Sequence, residues 1–192
     1  MRAASPVPPF AVGFLTVVEH EQHGLYGGYL LLNAMGRPLE FHCTAPVKPN
    51  RAQQILYGPA LAPFLYGEQI GQTLIAKSAV QPQFVCTDLP AALAVRAHVA
   101  LPVVLVRQKV ADEEADAAGD PGKIARLDAP HAHAAPLALF RCGPNCLAVE
   151  ATRFQDRETV TSRLEALADG FDLLEPFSRI REAIEEAQRS AK

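Results

Sequence analysis

The sequence predicts an α/β (α+β) domain with a mixed, mainly antiparallel sheet, covering helices and two C-terminal helices. Three observations carry this. Three β-rich runs separated by short polar turns fill the chain up to about residue 45. A short strand–helix–strand unit follows at about 83–107. Apolar residues then recur at helical spacing near the C-terminus. The length of 192 residues fits one domain, expected over 10–192, after a Pro-rich arm at 1–9.

Each element has a local cause. "FAVGFLTVVE" is β-branched and almost continuously apolar, which suits a strand covered on both faces. "HEQHGLYGG" is a Gly-rich turn, and "YLLLN" and "RPLEFHCT" flank "AMG" as a hairpin in which Gly36 supplies a positive φ. Pro46 and Pro49 end the third strand, and Asn50 is positioned to cap the helix "RAQQILY". A second helix is expected at about 63–77, after the interruptions at Gly58-Pro59 and Pro63. Its Gly67 and Gly71 lie on one face for close packing against the sheet.

"PQFVCTD" and "LPVVLVRQ" read as buried strands, with "LPAALAVRAHV" as the helix between them and Asp88 as its cap. Residues at about 111–136 lack aromatics and are rich in Ala, Asp, Gly and Pro, so a flexible insertion is expected there. "LALFRCGPNCLAVEA" is a hairpin around Gly-Pro-Asn. Val160, Leu164 and Leu167 mark one helix, stopped by Gly170. Phe177, Ile180 and Ile184 mark the last, with Arg181/Glu185 and Glu185/Arg189 as pairs on its wet side.

Net charge is -3, so there is no global basic field to hold phosphate backbones, and nucleic acid is an unlikely partner on this ground. No apolar run reaches the length of a membrane helix; the longest, Leu89 to Val106, contains Arg96, His98 and Pro102. The N-terminus lacks an apolar signal core, and four cysteines are too few for a disulfide scaffold, so a cytoplasmic protein is expected.

Chemistry has few places to sit. In "LEFHCT", strand alternation puts Leu39, Phe41 and Cys43 on one face, expected inward, and Glu40, His42 and Thr44 on the other. Adjacent His42 and Cys43 therefore cannot act as a nucleophile–base pair. Lys48 and Arg51 stand at a helix start, which attracts anions. With Glu40 and His42 they define a candidate ligand pocket for a small-molecule or anion-binding enzyme.

Cys142 and Cys146 bracket a turn at the spacing of half a structural zinc site, and Cys43 and Cys86, each at the end of an apolar strand, complete a candidate four-cysteine zinc site. His20 and His23 with Glu19 and Glu21 match no strong metal motif. Phosphate-loop, dinucleotide, nucleophile-elbow, zincin and kinase signatures are absent from the sequence.

The blocks "GGYLLLNAMGRPLEFHCTAPVKPNRAQQILYG" and "FDLLEPFSRIREAIEEA" resemble stretches of an uncharacterised bacterial protein family. That resemblance implies no activity, cofactor or site. The opening meander-then-helix order is also similar to profilin-like regulatory modules, which share no motif that carries residues over. The functional expectation is a non-enzymatic cytoplasmic interaction or regulatory module with a protein partner or a second copy. Its basis is the absence of catalytic motifs together with an amphipathic C-terminal helix.

Overall fold

A computed structural model describes residues 10–108, 124–125, 136–167 and 170–190. Its centre is a mixed eight-stranded sheet in the order β3-β2-β1-β4-β5-β8-β7-β6. The strands are β1 (Ala11–His20), β2 (Gly24–Asn33), β3 (Pro38–Cys43), β4 (Val85–Thr87), β5 (Val103–Arg107), β6 (Ile124–Ala125), β7 (Leu137–Cys142) and β8 (Asn145–Glu150). β1, β2 and β3 form the expected antiparallel meander, with Gly36 at φ 72 in its second turn. β4 lies parallel to β1, β5 parallel to β4, and the β7–β8 hairpin closes antiparallel on β5.

Helices cover both faces, so the molecule has three layers. One face carries α1 (Arg51–Tyr57), then α2 (Leu61–Pro63), a π-helical stretch (Phe64–Gln72) and α3 (Thr73–Lys77), followed later by a 3₁₀ helix (Pro90–Ala97). The other carries α4 (Gln155–Leu164) and α5 (Glu175–Ser190). The continuous apolar character of β1 follows from this. Leu15 and Val17 join the core under the first set of helices, while Val12 and Phe14 join the core under α4 and α5. Phe177, Ile180 and Ile184 point into that second core, as their spacing predicts. The paired glycines of β2 let both layers press in, Ile70 against Gly27 and Ile180 against Gly28.

Local signals are realised where neighbours in sequence settle them. Asn50 caps α1 through a reciprocal box with Gln53. Gly71 packs on the sheet as expected, where a Cβ would stand 2.9 Å from Leu15 Cδ2 of β1, but Gly67 packs on the 3₁₀ helix, where a Cβ would stand 2.7 Å from Val95 N and 2.8 Å from the Ala94 carbonyl carbon. The expected flexible insertion lies almost entirely outside the described residues.

Three expectations are corrected. On β3 the faces are inverted: Leu39 and Phe41 are each 39% exposed and Cys43 is exposed, whereas Glu40 and His42 are the half-buried side. The cause is tertiary. β3 is the edge strand, and the Ile180 and Ile184 side chains of α5 lie against Gly28 on β2, one strand short of it. The opposite face meets the segment after α3, where Glu40 accepts from Ser78 Oγ at 3.1 Å, Ala79 N at 3.1 Å and Val80 N at 2.8 Å. Asp88 does not cap the 3₁₀ helix, whose N-cap is Leu89 without a side-chain bond. Finally, Arg181 turns away from Glu185 to pair with Asp88, while Glu185 and Arg189 keep their contact at 3.5 Å.

Candidate functional site

The sheet order contains one topological switch. From β1 the chain goes to β2 and β3 on one side, then crosses back to β4 and β5 on the other. In open α/β sheets ligands bind beyond the carboxyl ends of the strands at such a point. A cleft of about 390 Å³ lies next to that point, beyond the carboxyl ends of β4 and β5, lined by Asp88, Pro90, Arg107, Phe177, Ser178 and Arg181, among others.

Each polar group arrives for a definable reason. Asp88 directly follows β4, so the buried strand carries it to the sheet's edge. Arg107 is the last residue of β5, level with that edge. Arg181 stands one residue after Ile180 on α5, so the helix that buries Ile180 turns Arg181 outward to the rim. The Arg181 guanidinium pairs with Asp88 Oδ2; the carboxylate side chain is 11% exposed and the arginine 41%.

Two buried oxygens here have no hydrogen-bond partner, Asp88 Oδ1 and Thr16 Oγ1. Leu15 is opposite Thr87 in the parallel register, so Thr16 and Asp88 are the next positions at the same edge. Phe177 and Leu174 supply an apolar wall. Chemically, the cleft offers two guanidiniums, one carboxylate and an apolar side, a set suited to an anion that carries an aromatic or aliphatic group.

The residues singled out from sequence lie elsewhere. Glu40 and His42 form a pair, with Nε2 to Oε2 at 2.8 Å. That bond from His42, then the backbone N–H groups of Val80 and Ala79, hold the Glu40 carboxyl below its ordinary range. The pair fastens β3 to the chain after α3. Lys48 Nζ donates to the Gln22 carbonyl, and Arg51 reaches Gln54 Oε1 at 3.4 Å. Among the described residues no hydrogen bond or ion pair joins Lys48 or Arg51 to the Glu40–His42 pair.

The four-cysteine zinc site is also corrected. Cys43 is on the edge strand β3, and Cys86 is on β4, three positions across the sheet order, a lateral distance of about 14 Å. Cys86 is buried, and that burial pushes its thiol pKa up. Arg141 pairs with Cys146 and Cys142 with Asn145 in the hairpin register, so alternation sends the two sulfurs to opposite faces. Among the described residues no group of three His, Cys, Asp or Glu side chains is placed to hold a metal ion.

The three-layer arrangement of helices on both faces of a mixed sheet defines an α/β class. Within it, the fold is that of Endonuclease V. Human Endonuclease V matches with a TM-score of 0.52 at 15% identity, covering 96% of this chain and 87% of that one. Endonuclease V of Ciona intestinalis, a D234N variant in complex with a 23mer DNA containing an inosine followed by a ribo-adenosine, matches with a TM-score of 0.55 at 11% identity over the same shares. The Ciona enzyme with a 24mer DNA matches at 0.51 and 11% identity, covering 93% of this chain and 87% of that one. No family model and no curated protein matches. Among the described residues no helix is long and apolar enough to cross a membrane.

This likeness overturns the expectation of a non-enzymatic interaction or regulatory module with a protein partner, and with it the dismissal of nucleic acid. Net charge averages over the chain and says nothing of where Arg107 and Arg181 stand, which is at one cleft. The sequence pattern marks Asp88 as a helix cap and Arg181 as a partner of Glu185, and assigns neither of them, nor Arg107, to a site. The available signal was an Asp directly after a buried strand in a parallel unit, read with the rule that such strand ends carry ligands.

Proposed function

We propose that this chain acts on nucleic acid and engages a strand at the cleft beyond β4 and β5. One observation carries this: the cleft at the switch point of an Endonuclease V fold is lined by two guanidiniums, Arg107 and Arg181, beside an apolar wall. Guanidiniums match phosphate geometry, and apolar side chains such as Phe177 accept a base face. The solved DNA complexes with this fold support the same reading. Arg181 lies within the block "FDLLEPFSRIREAIEEA", so the proposal extends to the uncharacterised bacterial family which that block resembles. A cytoplasmic location suits it, since the free thiols persist in a reducing compartment.

Fluorescence anisotropy with labelled single-stranded DNA and RNA, with and without an inosine, tests the proposal. Saturable binding at or below about 10 μM protein in low salt is expected. Absence of binding to every one of these strands contradicts it.

A further inference from the structure

Nucleases of many folds cut phosphodiesters with divalent cations clamped by carboxylates. Among the described residues, the donor set of this cleft does not fit such a cation. Asp88 brings one carboxylate; its Oδ2 is taken by Arg181, and its Oδ1 is buried. At the same level, β1 brings Leu15 and Thr16, and β5 brings Leu105, Val106 and Arg107. None of these is a second carboxylate, histidine or cysteine. The described residues as a whole hold no metal-ligating group of three.

The guanidinium is informative in itself. Arg carries its charge at every accessible pH. A cation approaching the Asp88 carboxylate would meet that charge at contact distance and be repelled. The Arg181 side chain is also 41% exposed, so donors not used on Asp88 remain at the mouth of the cleft. We infer that Arg181 holds, at Asp88, the place a divalent cation takes in metal-dependent nucleases, so that strand phosphates meet a fixed guanidinium and engagement needs no metal. This rests on the nucleic-acid reading of the cleft for its ligand, but its metal half stands on the geometry of the free protein.

Two measurements separate those halves. Manganese binding to the protein alone, followed by electron paramagnetic resonance, is compared for the wild type and Asp88→Asn. Equal, weak binding is expected. A wild type that binds manganese more than about tenfold tighter than the variant overturns the inference. Strand affinity is then compared in EDTA and in magnesium, which needs no variant. A change below about twofold is expected, and loss of binding in EDTA overturns the inference. If no strand binds in either buffer, the proposed function fails, while the manganese comparison still decides whether Arg181 excludes a cation.

Discussion

At the scale of single residues, Arg181 is the side chain on which the proposed strand contact turns. It is held by Asp88 across 93 residues of sequence, which is why it was expected to pair with Glu185 on its own helix. Arg181→Gln leaves Ile180 and Ile184 buried and should fold. Its affinity for a strand should fall, and its salt slope should flatten by about one unit, as for the loss of one phosphate contact. Gly67 makes the opposite kind of claim. A Cβ would meet Val95 N and the Ala94 carbonyl carbon at 2.7 and 2.8 Å, both backbone atoms that cannot swing aside. Gly67→Ala should cost about 2 kcal/mol in a urea titration, and an unchanged midpoint would show that the two helices slide apart freely. Asn50 and Gly36 were legible because their causes are local, a cap and a positive φ.

At the scale of elements, β3 shows where local pattern stops being informative. Alternation divided its residues correctly into two sets, but which set turns inward depends on helices far away in sequence. Glu40 became an anchor for the chain after α3 because its face is the covered one. Its carboxyl is held low, so its contribution is present above the ordinary carboxylate range and is lost as pH falls through and below it. Melting temperatures of the wild type and Glu40→Gln should thus differ at pH 7 and converge in acid. A constant gap at all pH values would mean that the charge has no part. α4 is tied in by Arg96, which meets Asp156 at 2.6 and 3.1 Å and the Val99 carbonyl at 2.9 Å. Asp156→Asn loses one charge of this half-buried pair and should destabilise by about 2 kcal/mol in urea. Unchanged stability would make the pair ornamental.

At the scale of the whole molecule, fold class was legible because hydrophobic runs and turns fixed the meander and the strand–helix–strand unit. The site was not, because it is a product of topology. Asp88 directly follows one strand, Arg107 ends the next, and Arg181 arrives on the last helix; the parallel pairing of β4 with β5 and the packing of α5 bring them to one edge. The cysteines teach the converse. Suggestive spacing at Cys142 and Cys146 meant nothing once the hairpin register put their side chains on opposite faces.

In the proposed function, a chain of net charge -3 holds a nucleic-acid strand through the guanidiniums gathered at one cleft. The most direct measurement is the salt dependence of single-stranded DNA binding for the wild type and for Arg107→Gln/Arg181→Gln. Saturable wild-type binding is expected, with a logarithmic salt slope reduced by about two in the double variant. Identical affinity and slope in the two proteins, both folded by circular dichroism, would contradict it.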